Sequence, residues 1–113
     1  MNIEEFRNIC IEIEGVTEEF PFDNETLVFK VYGKIFALTN VESFKSINLK
    51  CDPEYAVELR EKFSAVVPGY HMNKKHWNTI LIDGTFENSF LKKLICDSYS
   101  LVLKGVPVSK RKS

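Results

Sequence analysis

Two short apolar runs around residue 33 constrain the fold more than any other feature. Leu27, Phe29 and Val31 alternate with Val28 and Lys30, and residues 35–39 (IFALT) form a second β-favouring run. Only Tyr32, Gly33 and Lys34 separate the two. Strand-like patterning on both sides of so short a connection specifies a β-hairpin. A hairpin alone is marginal in water, so its apolar face needs a covering layer.

The flanking segments supply that layer. Ile3, Phe6, Cys10 and Ile13 recur at three- and four-residue steps, which predicts a helix over 3–14 stopped at Gly15. Residues 16–26 read as a connector, with Pro21 and Asp23-Asn24 as breakers. A third strand is expected at 47–50. Asp52-Pro53 then opens a helix, Asp capping free N–H groups and Pro suiting the first turn. Ala56, Leu59 and Phe63 form its buried face, and it ends before Pro68-Gly69. A strand at 79–82 and a turn at Asp83-Gly84 follow. Thr85 is the expected cap of a last helix reaching about residue 103, with Phe90, Leu91, Leu94, Ile95, Leu101 and Val102 facing inward. The expected order is α-β-β-β-α-β-α. The class is α+β: a single compact domain over residues 1–105, an antiparallel sheet with helices packed on one face, and a frayed basic tail at 106–113.

The 113 residues suffice for one core, and nine Phe, four Tyr and one Trp give it bulk. Three cysteines, Cys10, Cys51 and Cys96, form an odd set without a CxxC pair, which excludes a disulfide framework. Cys10 and Cys96 fall on apolar helix faces as small hydrophobes. The first ten residues lack the basic start and apolar run of a secretory leader, and no stretch approaches the ~20 apolar residues of a membrane span. The expected address is a reducing cytoplasm, with no membrane partner.

Charge is unevenly spread. The net charge is −1, but residues 1–26 hold eight acids and one base, whereas residues 27–113 hold fourteen bases and eight acids. Such a division builds separate acidic and basic faces.

A search for catalytic chemistry finds little. Nucleophilic catalysis needs an activated Cys or Ser with a base in reach. Cys51 with His71 or His76 is the pair the sequence offers; Cys51 stands at a helix start, where the dipole lowers a thiol's pKa. No local motif joins them, and a structural cysteine is the simpler reading. His71 and His76 share a loop with two lysines, which oppose a cation, and the zinc-protease and phosphate-loop patterns are absent. A non-enzyme without metal or cofactor is expected.

Residues 71–79 (HMNKKHWNT) are the least ordinary stretch. They bring together two lysines, two imidazoles, two amides and an indole, and no acid stands between Glu61 and Asp83. Lysines contact phosphates as point charges, Asn hydrogen-bonds bases or backbone, and His or Trp stacks. A solvated loop ahead of a strand, with Trp77 as a core anchor, explains the same residues more plainly. Lys34 at the hairpin turn, Lys104, Lys110, Arg111 and Lys112 extend any basic patch.

Several segments together resemble the MmcQ/YjbR-like family. They are Phe20-Pro21-Phe22, residues 27–31 (LVFKV), residues 33–38 (GKIFAL), residues 47–53 (INLKCDP), residues 68–79 (PGYHMNKKHWNT), and Asp97-Ser98-Tyr99 with Val102. The resemblance implies a compact α+β domain similar in shape to frataxin-like (CyaY-like) and secretion-chaperone-like folds. It further implies DNA binding through a double-wing arrangement of loops. The residues it points to are Lys34 on the first hairpin and His71, Asn73, Lys74, Lys75 and His76 on the second loop. The alternative is an adaptor domain that meets a protein partner through the acidic N-terminal face, with Glu12, Glu14, Glu18 and Glu19.

Overall fold

The computed structural model describes residues 1–69 and 72–111. His71, one of the expected contact residues, and Lys112 lie outside the described residues. The chain runs through α1 (Ile3–Ile11), β1 (Val16–Glu19), β2 (Thr26–Val31), β3 (Lys34–Asn40), β4 (Ser46–Lys50), α2 (Pro53–Lys62), β5 (Val66–Pro68), β6 (Trp77–Leu81) and α3 (Asn88–Lys104). A short 3-10 turn, Val108–Lys110, follows.

The six strands form one antiparallel sheet in the order β1-β2-β3-β4-β6-β5. Directly opposed residues share a face of such a sheet. The register therefore aligns Phe29 with Ala37, Ala37 with Leu49, Leu49 with Asn78, and Ile47 with Ile80 on one face. All of these are buried, and all three helices cover this face. Phe6 of α1 meets Phe29 edge-on at 5.5 Å between ring centres, and Phe36 meets Tyr99 of α3 the same way. Such aromatic contacts add about 1 kcal/mol each to the burial itself. The Asn78 amide reaches the Ala56 carbonyl of α2 at 3.5 Å. Among the described residues, no helix covers the opposite face, which carries Thr17, Lys30, Leu38, Asn48 and Val67.

Ser98 ties α3 to the sheet. Its Oγ donates to the Phe36 carbonyl at 2.5 Å and accepts from the Lys50 N–H at 2.8 Å, just past the last paired residues of β3 and β4. Two backbone groups that would otherwise be buried unpaired are thereby satisfied.

The class and the one-sided helix layer match the sequence reading, but the element order gains two strands. β1 occupies part of the stretch read as connector, and β5 follows α2 directly. Both are edge strands of four and three residues. Short edges with charged side chains or a proline carry almost no periodic signal, and Pro68 fits because an edge strand needs no donor on its outer side. The first helix stops at Ile11, with Glu12 as its C-cap, rather than at 14. The last helix begins at Asn88 with Glu87 as N-cap; the Thr85 N–H is already held by Asp83 Oδ1 in the preceding turn. Beyond Gly105, where fraying was expected, the chain folds back as far as Arg111. Val106 is buried, and the Arg111 guanidinium donates to the Leu103 and Val106 carbonyls at 2.7 and 3.2 Å. The Leu103 carbonyl already accepts from the Val106 N–H at 3.0 Å, so the guanidinium adds a second donor there and pins the tail against the end of α3.

Candidate nucleic-acid interface

Strand direction brings the expected contact residues to one end of the molecule. The β2–β3 turn (Tyr32-Gly33) and the loop between β5 and β6 leave the same end of the sheet, because Val31 opposes Lys34 and Lys50 opposes Trp77. Their centres are three strand spacings apart, about 14 Å at ~4.8 Å per strand. Lys50 ends β4 here, and Lys104 and Gly105 close α3 here, since Lys34 reaches Gly105. Asp23, Glu25, Glu42 and Asp83 lie in connections at the opposite end, with Lys45 among them. The lysine-bearing end holds acids as well: Glu12 and Glu14 lead into β1, whose Val16 opposes Val31 beside the turn, and Asp52 follows β4.

The β2–β3 turn is tight. Tyr32 and Gly33 have φ of +47° and +86°, the doubly left-handed pattern of two-residue hairpins. Lys34 follows, exposed, and its Nζ donates to the Gly105 carbonyl at 2.8 Å. This ammonium is a fastening of α3 to the hairpin, and it sits where a helix C-terminus favours a cation.

The β5–β6 loop is built differently. Asn73 folds it: its Oδ1 accepts from the Lys75 N–H at 2.9 Å, and its carbonyl accepts from the N–H groups of His76 and Trp77. The Asn73 side chain therefore shapes the turn, as Asn does in side-chain-mimicked turns. Arg60 of α2 donates to the Lys74 carbonyl at 3.1 Å and to the Ala56 carbonyl at 3.3 Å, clamping the loop to the helix. Lys74 and Lys75 are exposed at the tip, and neither forms an ion pair with a described carboxylate. His76 is half-buried at the foot of the loop, and its carbonyl accepts from the Cys51 N–H at 2.8 Å. Trp77 is part-exposed opposite Lys50 rather than in the core, a departure from the anchor role expected of it. Its partner Lys50, part-exposed, ends β4 beside it.

Cys51 is not primed for attack. Burial, then the carboxylates of Asp52 and Asp97, push its thiol up to about 11, so it stays protonated at neutral pH. The helix-start effect considered above is outweighed. Cys10 is shifted the same way by burial. Among the described residues, no three His, Cys, Asp or Glu side chains come together in a metal-binding group.

The acidic N-terminal face is partly neutralised. Arg7 forms a two-pronged pair with Glu18, and Lys30 meets Glu19 at 2.6 Å. Glu12 and Glu14 remain exposed.

Sequence alone does not single out Arg60. It is one of two bases among the three acids of α2, and only the return of the loop onto that helix gives it a role. Asn78 reads as part of the polar loop by its neighbours in sequence, yet it is 1% exposed and lies on the covered face of β6. No described helix is long and apolar enough to cross a membrane.

Comparison with known proteins extends the picture. The YjbR family model matches residues 11–101. The uncharacterised protein YjbR of Escherichia coli K12 is 34% identical over 113 residues, covering 99% of this chain and 96% of that protein. The uncharacterised protein YbdF of Escherichia coli O157:H7 is 37% identical over 101 residues, covering 88% of this chain and 83% of its own length. Among solved structures, protein DR2400 of Deinococcus radiodurans, a DUF419 domain, superposes with a TM-score of 0.91 at 40% identity, over 96% of this chain and 84% of that one. A protein of Pseudomonas syringae superposes at 0.76 with 29% identity, over 89% and 98% of the two chains.

Proposed function

The chain belongs to the YjbR family, and from that premise we propose that it is a non-enzymatic DNA-binding module that grips the phosphate backbone through its β5–β6 loop. The observation that carries this reading is the tip of that loop: two adjacent lysines without described ion-pair partners, on a turn fixed by Asn73 and clamped by Arg60. Holding cations in place before binding lowers the ordering cost of contact. Lys74 and Lys75 meet successive phosphates. The β2–β3 turn, about 14 Å away by strand spacing, is close to the ~12 Å width of a B-DNA major groove, so the two turns straddle one groove. Lys34 supports the contact as a fixed charge, with two of its three N–H donors free beside the one given to Gly105. His76 stands at the foot of the loop, within the same positive field.

Fluorescence anisotropy with a labelled duplex, titrated across salt concentrations, tests the proposal. Binding should weaken with salt, and Lys74→Ala/Lys75→Ala should lower the log–log slope by about one unit for each phosphate no longer neutralised. Absence of binding at low salt, or a slope untouched by the double change, would overturn it. The acidic-face adaptor reading gains no such support, because Glu18 and Glu19 are already paired within the chain.

A further inference from the structure

A cleft of about 230 Å³ opens between α2, α3 and the covered face of β4 and β6. It lies on the helix side of the sheet and takes no part in the loop contact proposed above. Its walls are mostly apolar: Leu49, Leu59, Ile80, Leu94 and Leu101 line it. Asn78 also lines it and is 1% exposed. Its Oδ1 has no hydrogen-bond partner among the described residues, and it is the one such buried side-chain atom found there.

One long hydrogen bond to α2 sets the orientation of that amide. Its Nδ2 donates to the Ala56 carbonyl at 3.5 Å. Turning the amide over would set oxygen against oxygen, so the unpartnered atom is the acceptor. This oxygen is closed off from solvent at the floor of the cleft; an unpaired buried acceptor costs about 1–3 kcal/mol, which a donor pressed in against it would recover. The charged residues lining the cleft balance, Lys50 and Lys104 against Asp52 and Asp97. Asp52 caps α2, and Asp97 is paired with Lys93 outside the cleft at 2.8 Å. No net charge selects an ion. The volume exceeds the ~150 Å³ at which an apolar protein cavity already admits a benzene-sized guest.

We propose that this cleft is a binding site for a small, neutral, ring-sized apolar molecule that carries one N–H or O–H donor for Asn78 Oδ1, of the indole or phenol class. The apolar walls hold the ring and the lone acceptor selects the donor, the usual division of labour in small-molecule sites.

Indole and benzofuran separate the contributions, because they share a shape while only indole donates. Titrating each into the intact chain, followed by 15N-correlated NMR, should move the amides of Leu49, Asn78, Leu94 and Leu101 with indole. Benzofuran should bind about tenfold or more weakly, since a site built around a hydrogen bond rejects the analogue that lacks it. Asn78→Leu should erase the preference. Leu101→Trp, at a half-exposed wall position, should block both probes and covers the case in which the Asn78 variant does not fold. Equal binding of the two probes would overturn the proposal. So would millimolar indole that moves none of these amides, leaving the oxygen to a buried water. Neither result bears on DNA binding by the loop.

Discussion

The two turns at the lysine-bearing end of the sheet hold their lysines in opposite states. At the β2–β3 turn, Lys34 is committed to the structure, fastened to the carbonyl of Gly105, the C-cap of α3. At the β5–β6 loop, Lys74 and Lys75 have no ion-pair partner among the described residues, and the scaffold beneath them is made by Asn73 and Arg60. The same residue type is a fastening in one place and an open charge in the other. What separates them among the described residues is what the neighbouring helix holds: at the first turn the Lys34 ammonium itself meets a helix end, whereas at the second α2 holds the Lys74 carbonyl and leaves the ammonium groups outside. If the distinction holds, changes at the first turn should lower stability, and changes at the second should lower binding.

Gly15→Ala should have the largest effect, and it acts on the first turn. Gly15 has φ of +80°, and its carbonyl accepts from the Tyr32 N–H at 3.1 Å. A Cβ there would stand 2.5 Å from the Tyr32 ring. The alanine would be forced into a left-handed conformation and would displace the ring, at a cost of about 2–3 kcal/mol together. Urea denaturation should show that loss, while the salt slope of DNA binding stays unchanged for the folded fraction.

Lys74→Ala/Lys75→Ala should do the reverse. Stability should stay within about 0.5 kcal/mol, as for surface changes without partners. DNA affinity at low salt should drop by roughly a hundredfold, about tenfold for each lysine–phosphate pair removed. A stability loss comparable to that of Gly15→Ala would show that the lysines are structural after all and would erase the contrast. Asn73→Ala tests the scaffold under the lysines. It removes the Lys75 N–H acceptor and should cost about 1 kcal/mol, with binding weakened a few-fold because the tip is no longer held in shape.

How much of this was legible beforehand follows from the range of each interaction. The hairpin, the Asp52-Pro53 helix start and the basic loop are written in neighbouring residues, so they could be read directly. Asp52 Oδ2 does accept from the Tyr55 N–H, as that pairing required. The edge strands were not legible, because three or four residues with one apolar face used at most twice give no period. The uses of Lys34, Arg60 and Ser98 were not legible either. Each depends on a partner brought near only by folding: Gly105 lies 71 positions from Lys34, and Phe36 lies 62 from Ser98. Asn78 misled for the same reason. Its neighbours in sequence are polar, whereas its neighbours across the sheet are Leu49 and the floor of the α2–α3 cleft.

Lys34→Ala should have the smallest effect, yet it decides the comparison most directly. The mutation removes one exposed charged donor from the Gly105 carbonyl and one cation from a helix C-terminus. Solvent screens both, so the expected loss is only about 0.5 kcal/mol, visible as a small shift in the urea midpoint at unchanged m-value. The salt slope should change by less than about half a unit, because the ammonium that is removed contributes field rather than a full phosphate contact. A Lys34→Met variant keeps the apolar stem and isolates the charge. Should either variant lose a full unit of slope with no loss of stability, Lys34 would release Gly105 on binding. The two turns would then be equivalent grips on the same duplex, and the fastening seen in the free protein would be a resting position of the first.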